Sequence, residues 1–300
     1  MKKNYQVISS LILSLTGSLA LVNLPVLAFD IVQNNNPNSL LNAFLSNDPN
    51  NYKGLSNFNI NLIGDARAFG TFSDDPFGLG SAVALSTGRV TDLKGPNTVD
   101  GGFFPPSGAD LSTDLGLPGV TGDSISMIVS FDVDKTVDQL YFQYVFGSEE
   151  LLEYAGQYND SFSLVLNGIN YAKLSNGDAV TINNLAVSPL GPYSPDLIYN
   201  PVGTGPASSE TKLDGYTKPL LYQAPLIQDA RNYLIINIQD ATDGQYDSGL
   251  FLKAGTLGTV CPIANCPDTG VSVPEPSLSP VSYLISMLSF IGLIIAKKTL

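Results

Sequence analysis

Histidine and tryptophan are absent from this chain of 300 residues. Without histidine, a Ser-His-Asp triad, a Cys-His nucleophile and the usual histidine-containing zinc sites are excluded. Without tryptophan, the side chain that stacks best on sugars is missing, and stacking of that kind falls to the 14 tyrosines. The sequence therefore excludes several common catalytic classes before any motif is considered.

Cysteine is nearly absent as well, since Cys261 and Cys266 are the only two. Two thiolates cannot complete a tetrahedral metal site. In an exported chain, two cysteines five positions apart favour a disulfide that closes the loop Pro262–Asn265. We therefore predict a local covalent bridge near the end of the folded body, and no reactive thiol.

Basic residues are scarce: 14 lysines and arginines stand against 27 acidic residues, and the formal net charge is −13. Four of the lysines lie in the two terminal segments described below, so the rest of the chain is more acidic still. Such a surface does not bind nucleic acid or anionic lipid through bulk charge. It suits either a cation-binding protein or simply a well-hydrated extracellular surface.

The N-terminus has the layout of a secretory signal peptide. Lys2-Lys3 is a basic start, Val7–Leu24 is mostly apolar, and Val26–Ala28 fits a small-residue cleavage site. We expect the secretion translocon to export the chain and the mature protein to begin near Phe29.

The C-terminus combines three features in a fixed order. Val273-Pro274-Glu275-Pro276 is followed by the uncharged run Val281–Ala296 and then by Lys297-Lys298. The run of 16 residues would be about 24 Å long as a helix, and counting from Leu278 gives 19 residues, enough to span a bilayer core of about 30 Å. The lysines would remain on the cytoplasmic side, which places the body of the protein outside.

This order resembles a PEP-CTERM sorting signal, although two lysines stand where an arginine cluster is usual. The resemblance implies that an exosortase-type enzyme cuts near Pro-Glu-Pro and passes the protein to the cell surface. A plain C-terminal membrane anchor is the alternative. The chain then divides into a signal peptide, a folded body, a Pro-rich linker and a membrane segment with a basic tail, over residues 1–28, 29–260, 261–280 and 281–300.

Between the two ends, the hydrophobic pattern has the period of β-strands. Ile125–Val133 alternates apolar and polar residues, as a half-buried strand does. Leu140–Phe146 is apolar almost throughout, which is typical of a central strand covered on both faces. Three further strand patterns follow, at Phe162–Leu166, Tyr233–Ile238 and Gly249–Lys253.

These patterns predict an all-β fold, a jelly-roll-like β-sandwich of roughly ten strands. A short N-terminal helix is expected over Ser39–Leu45, with Asn38 as its cap. Two long connections rich in Gly and Pro, Lys94–Gly122 and Val187–Pro206, are either functional loops or excursions packed on the sandwich.

Acidic residues collect in two connections beside predicted strands. Calcium takes six to eight oxygens from carboxylates, carbonyls and water, often on such loops. The spacing is not that of an EF-hand, and solvated turn residues are the alternative to a metal site. The candidate calcium ligands are Glu149, Glu150 and Asp160 around the first connection, and Asp240, Asp243 and Asp247 in the second.

Two other functions fit the same region. A glycan hydrolase would need two carboxyls facing one substrate. Glu149 and Glu150 point to opposite faces if they continue a strand, so Glu150 would have to meet Asp243 or Asp247 instead. A carbohydrate-binding module for exopolysaccharide would instead stack exposed aromatic rings on sugars, and the tyrosines suited to this are Tyr154, Tyr158 and Tyr246.

From about Ser39 to Gly258 the chain resembles the choice-of-anchor L domain proteins of bacterial surfaces. The matching pieces, in family order, are Leu85–Gly88, Gly95–Asn97, Thr121–Asp123 with the strand to Phe131, Tyr144–Glu150, Asn159–Phe162, Val180–Asn183, Asp214–Thr217 and Asp240–Phe251. One departure is Leu151, where the family usually has tyrosine. The resemblance implies an extracellular domain without enzyme activity, joined to varied C-terminal anchors, of which a PEP-CTERM tail is one.

Together these observations predict a non-enzymatic, exported surface or matrix protein of an exopolysaccharide-producing Gram-negative bacterium. Its role would be adhesive or structural, with calcium in its acidic loops and surface polysaccharide as a partner.

Overall fold

The period-two patterns form β-strands in the structure, a computed structural model that describes residues 29–99, 108–116, 123–240, 244–264 and 266. The described residues form thirteen strands: β1 (Asp30–Gln33), β2 (Leu55–Ile63), β3 (Phe69–Ser73), β4 (Ser81–Ser86), β5 (Ser124–Val133), β6 (Gln139–Ser148), β7 (Ser161–Leu166), β8 (Ile169–Asn170), β9 (Leu197–Tyr199), β10 (Gly215–Thr217), β11 (Leu220–Pro225), β12 (Ala230–Gln239) and β13 (Ser248–Lys253). Helical segments are short, and they are α1 (Pro37–Phe44), α2 (Ile182–Leu185) and 3-10 turns at Pro49–Tyr52, Ala66–Ala68 and Val90–Leu93.

The strands build two antiparallel sheets. The first has the order β1-β3-β4-β13-β6-β10-β9, with β11 also paired to β6, and the second has the order β2-β5-β12-β7-β8. From β4 to β7 and from β11 to β13, successive strands alternate between the sheets. The sets β4-β13-β6-β11 and β5-β12-β7-β8 are the two four-stranded halves of a jelly roll. The predicted all-β sandwich is therefore confirmed.

The main core fills the space between the sheets, as the alternation in β5 predicts. Its apolar positions from Ile125 to Val133 face inward, and the intervening residues are more exposed except Ser130. Aromatic residues line the same core: Phe142 stacks on Tyr222 within the first sheet with ring centroids 4.2 Å apart, and Phe146 of the first sheet lies 5.1 Å from Phe162 of the second. Burial of such rings is the largest stabilising contribution of a core of this kind.

A second core covers the outer face of the first sheet. Val145 of β6 and Phe251 of β13 point into it, and Phe77 stacks on Phe251 with ring centroids 4.5 Å apart. Leu111 and Leu213, from connections outside the sheets, are buried in the same cluster. The long predicted loop therefore packs on the sandwich at Leu111, and this packing explains why the second half of β6 is buried at every position.

Helix α1 differs from its prediction at the cap. Asn36, and not Asn38, caps the helix, and its side-chain oxygen accepts the N–H of Ser39 at 2.9 Å. Pro37 occupies the first turn, where its missing N–H costs nothing. The cap moves because proline fixes the start of the helix one residue before the predicted cap.

Near the C-terminal end of the described body, Cys261 and Cys266 form a disulfide with their Cα atoms 6.3 Å apart. The predicted signal peptide, the sorting motif at 273–276 and the membrane segment at 281–300 lie outside the described residues. In the part of the chain that the structure describes, no helix is long and apolar enough to cross a membrane.

Candidate functional site

Strand register brings the two predicted acidic connections to one end of the sandwich. In the first sheet, Ser148 at the end of β6 pairs with Ser248 at the start of β13. Glu149 and Asp247 follow directly from this pair, and the N–H of Glu149 donates to the carbonyl of Asp247 at 3.2 Å. Residues almost a hundred positions apart in sequence thus become neighbours.

The second sheet contributes acids to the same end. Gln239 of β12 pairs with both Ser124 of β5 and Ser161 of β7. The next residue of each strand outward is acidic, and these residues are Asp240, Asp123 and Asp160. The N–H of Asp240 donates to the carbonyl of Asp123 at 2.9 Å.

One hydroxyl links the two sheets here. The Ser248 Oγ donates to Asp160 Oδ2 at 2.8 Å, and the N–H of Glu150 donates to Ser148 Oγ at 3.0 Å. We call the six residues at this end the acidic end: Asp123, Glu149, Glu150, Asp160, Asp240 and Asp247. Five of them were predicted as calcium ligands, and the sixth prediction, Asp243, lies outside the described residues.

Burial overturns the view of these acids as solvated turn residues. Each residue of the acidic end is at most 2% exposed. The expected opposite orientation of Glu149 and Glu150 also does not apply, since β6 ends at Ser148 and both side chains are buried in the turn that follows. Burying a carboxylate is costly unless hydrogen bonds or a cation compensate it.

Part of that compensation comes from residues 108–116, here called the strap, which cross the acidic end. Glu149 Oε1 accepts the N–H of Asp110 at 2.7 Å, and Asp123 Oδ2 accepts the N–H of Leu115 at 2.8 Å. Between them, the Asp247 carboxyl accepts the N–H of Thr113 at 3.1 Å. Three buried carboxyls thus bind backbone amides of one segment of the predicted connection Lys94–Gly122. The sequence pattern did not predict that this connection binds the acids, and it did not predict the part of Asp123.

The Asp247 carboxyl has a close-fitting seat. A Cβ added to Gly88 would overlap this group, so glycine leaves the space that the carboxyl fills. Ser248 and Thr87 hold the backbone beside it through two hydrogen bonds, at 2.8 and 3.0 Å. The motif Leu85–Gly88 therefore serves as a wall of the acidic end.

The electrostatic environment of the acidic end disfavours negative charge. Burial raises the pKa of Glu149 to about 9 and that of Asp247 to about 8, against the lowering effect of the strap amides. Burial also raises the pKa of Asp123. The neighbouring charges that raise these pKa values further are all acidic. Asp110 and Glu153 act on Glu149, and Asp114 and Asp65 act on Asp123. The charges that act on Asp247 are those of Asp240, Asp123 and Asp92.

Glu149 Oε2 and Asp123 Oδ1 at this end have no hydrogen-bond partner among the described residues. Buried polar atoms are normally satisfied by protein, water or an ion. Within the same described ranges, no three acidic side chains are grouped as a ready-made metal cage. A cation held here would therefore use few carboxylates and complete its shell with carbonyls or water.

The three tyrosines suggested as sugar-stacking residues come together beside the acidic end. The rings of Tyr154 and Tyr246 lie 4.7 Å apart, and those of Tyr154 and Tyr158 lie 5.4 Å apart in an edge-to-face arrangement. The Tyr154 hydroxyl donates to the Tyr246 hydroxyl at 2.9 Å. Leu151, in the same connection as Tyr154, is fully buried.

Comparison with known proteins adds the family. The sequence profile of the choice-of-anchor L domain matches residues 29–258, which is most of the chain. The chain belongs to the choice-of-anchor L domain family. Membership makes it a surface-associated protein, in agreement with the acidic, histidine-free body.

Other comparisons contribute little to this choice-of-anchor L protein. No curated protein sequence matches it significantly. Among solved structures, the enzymatically active domain of tailspike protein 4 from Bacteriophage CBA120 matches at 11% identity with a TM-score of 0.22. That match covers 66% of this chain and 19% of the tailspike chain, and at this TM-score it supports no argument about fold or function.

Proposed function

We propose that this choice-of-anchor L protein is a non-catalytic, exported adhesive or structural protein, and that a calcium ion stabilises its acidic end. The observation that supports calcium most is the set of buried carboxyls whose strongest charged neighbours are also acids. Exported proteins meet calcium outside the cell, where such a site can fill.

A proton and a cation are the two ways to relieve this repulsion. The raised pKa values of Glu149 and Asp247 mean that protons occupy these groups when no cation is present. A divalent ion supplies two positive charges and can be coordinated by the carboxyl oxygens that the strap does not hydrogen-bond, namely Glu149 Oε2 and Asp123 Oδ1. Calcium is the best match because it prefers carboxylate, carbonyl and water oxygens in flexible geometry.

The decisive experiment is thermal unfolding of the purified protein in calcium and in excess chelator. A ligand that binds only the folded state at about 100 times its Kd adds about 2.7 kcal/mol, so we expect the melting temperature to rise by several degrees. The double variant Glu149→Gln/Asp123→Asn should lose this rise, because the introduced amides carry no negative charge to offset the charge of the calcium ion.

The matched control is Asp132→Asn, which removes an acid paired with Arg231 near the end of β5 that is farther from Asp123. This variant should keep the full calcium response. An unchanged melting temperature in millimolar calcium, or an equal rise in the Glu149→Gln/Asp123→Asn variant, would refute the calcium site.

The termini supply the proposed route to the surface. The translocon would export the chain, and an exosortase-type enzyme would process it near Pro274-Glu275-Pro276. Replacing these three residues by alanine should leave an unprocessed, membrane-held form on a blot. If the variant has the same size on the blot and is released as the unmodified protein is, the sorting signal is contradicted and the C-terminus is a plain membrane anchor.

A further inference from the structure

The tyrosine cluster, defined as Tyr154, Tyr158 and Tyr246, joins two connections at one end of the fold. Tyr154 and Tyr158 lie between β6 and β7, whereas Tyr246 directly precedes β13. All three residues are half-buried, so part of each packs against the fold and part is open to solvent. Tyrosine in this position presents an apolar face together with a hydrogen-bonding group.

The cluster is held in place by the acidic end. Tyr246 precedes the buried Asp247, and the N–H of Tyr154 donates to the carbonyl of the buried Glu150 at 3.2 Å. Tyr246 has a backbone φ of 61°, a left-handed conformation that is unfavourable for residues other than glycine. Strain of this kind is found most often at binding sites and catalytic sites.

The hydroxyl groups are arranged to bind a further partner. Tyr154 donates its proton to Tyr246, so the Tyr246 hydroxyl keeps its own proton for another acceptor. Gln157 is exposed in the same connection as Tyr154 and adds an amide group that both donates and accepts. Burial and the charge of Glu153 raise the pKa of Tyr154, which keeps that phenol a proton donor.

This combination matches the chemistry of a sugar ring. A pyranose has an apolar C–H face that lies against an aromatic ring, and a rim of hydroxyls that bind phenols and amides. The net charge of −13 and the carboxylate of Glu153 beside Tyr154 repel anionic ligands, so the charge around the cluster selects against acidic saccharides and nucleic acids.

We propose that the tyrosine cluster is a binding site for a neutral polysaccharide, a proposal that rests on the adhesive role given above and assigns it a ligand. Tyr246 and Tyr154 stack on the sugar, and Tyr158 supports the Tyr154 ring from its edge. The acidic end keeps the rings in position, so their side chains lose little conformational entropy when the sugar binds.

The test is binding of the purified full chain to immobilised neutral glucan, mannan and galactan, each measured against the free polysaccharide as competitor. We expect retention on at least one of the three. Tyr246→Ala should weaken binding at least tenfold because it removes a stacking face. Tyr154→Phe keeps the ring and loses the shared hydrogen bond, so it should weaken binding several-fold with the melting temperature little changed.

Tyr233→Ala is the matched control, since Tyr233 is also half-buried but lies near the start of β12, whereas the acidic end adjoins the end of that strand. It should bind as the unmodified protein does. No retention on any of the three polysaccharides, or equal retention of the Tyr246→Ala variant, would overturn the site.

The calcium experiment distinguishes failure of the saccharide site from failure of the proposed calcium-stabilised function. A protein that melts higher in calcium but binds none of the polysaccharides would contradict the saccharide site and leave the calcium site intact. Polysaccharide binding that depends on Tyr246 without any calcium response would support the saccharide site and contradict the calcium site.

Discussion

Two groups of carboxyls in this protein have opposite environments. On the surface, Arg67 holds Asp65 through hydrogen bonds of 2.9 and 2.8 Å and lowers the pKa of that carboxyl to about 2. At the acidic end, burial raises the pKa of Glu149 to about 9 although the strap amide of Asp110 opposes the rise. The contrast teaches that position in the fold, and not residue type, decides which acids are charged.

The structural consequences differ in the same way. The Arg67–Asp65 pair joins residues two apart and restrains only a short turn. Glu149, Asp123 and Asp247 instead join the strap to strands of both sheets. Exposed ion pairs contribute little to stability, whereas loss of a buried hydrogen-bonded group leaves an unsatisfied partner.

The largest effect should come from filling the seat of Asp247. Gly88→Ala places a methyl group where the buried carboxyl lies, so either the carboxyl or strand β4 must move. We expect a loss of about 3 kcal/mol in the free energy of unfolding, measured by urea denaturation.

Gly78→Ala is the comparison, because nothing lies within 4 Å of a Cβ added there. The added Cβ meets no neighbour, so the expected loss comes from the positive φ of 83° alone and is about 1 kcal/mol. Equal losses at the two positions would show that the Asp247 seat is not close-fitting.

Per group and per pH unit, a smaller effect should appear in the pH dependence of stability without calcium. Glu149 and Asp247 have raised pKa values in the folded state, so between their unfolded values, 4.5 and 3.8, and about 8 to 9 the folded state holds more protons. Their contribution is therefore full below the unfolded pKa and is lost as the pH rises. The free energy of unfolding should fall by up to about 1.4 kcal/mol per pH unit for each group.

Urea denaturation in chelator at pH 5, 6, 7 and 8 measures this slope. The Glu149→Gln variant cannot titrate at that position and should show a flatter slope than the unmodified protein. Calcium should reverse part of the loss at pH 8, where a cation competes best with protons. Parallel slopes for the two proteins would contradict the assignment of Glu149.

The smallest effect is expected at the surface pair. Arg67→Gln removes the cation beside Asp65, and the melting temperature at pH 7 should change by less than about two degrees. Because the folded pKa of Asp65 is lowered, any effect should shrink as the pH falls through 2. A loss of stability in Arg67→Gln as large as the loss in Gly88→Ala would contradict the inference that the surface acids contribute less to stability than the buried acids.

Much of the fold could be predicted from local patterns. The patterns at Ile125–Val133, Phe162–Leu166 and Tyr233–Ile238 became β5, β7 and β12, because alternation directly encodes one buried face. Strands β1 and β3 lie at the edge of the first sheet and were not predicted. Their short patterns overlap with those of turns, and they are stabilised by pairing of β1 with β3 and of β3 with β4.

The candidate site was predicted less completely. Sequence spacing indicated two acidic connections, and composition made calcium a reasonable ligand for them. Burial of these acids could not be predicted, because acidic residues in Gly-rich connections are exposed in most proteins. Asp123 could have been found from its position just before a strand, which it shares with Asp160.

The sequence by itself determined the strand pattern, the surplus of acids, the absence of histidine and the membership of a surface-associated family. These properties follow from residue type and short-range order, which need no contact between distant segments. Only the tertiary structure decided that Glu149, Asp123 and Asp247 share one buried end, that the strap binds them, and that Tyr154 meets Tyr246. Strand register sets these contacts, and register depends on how two sheets pack around a common core.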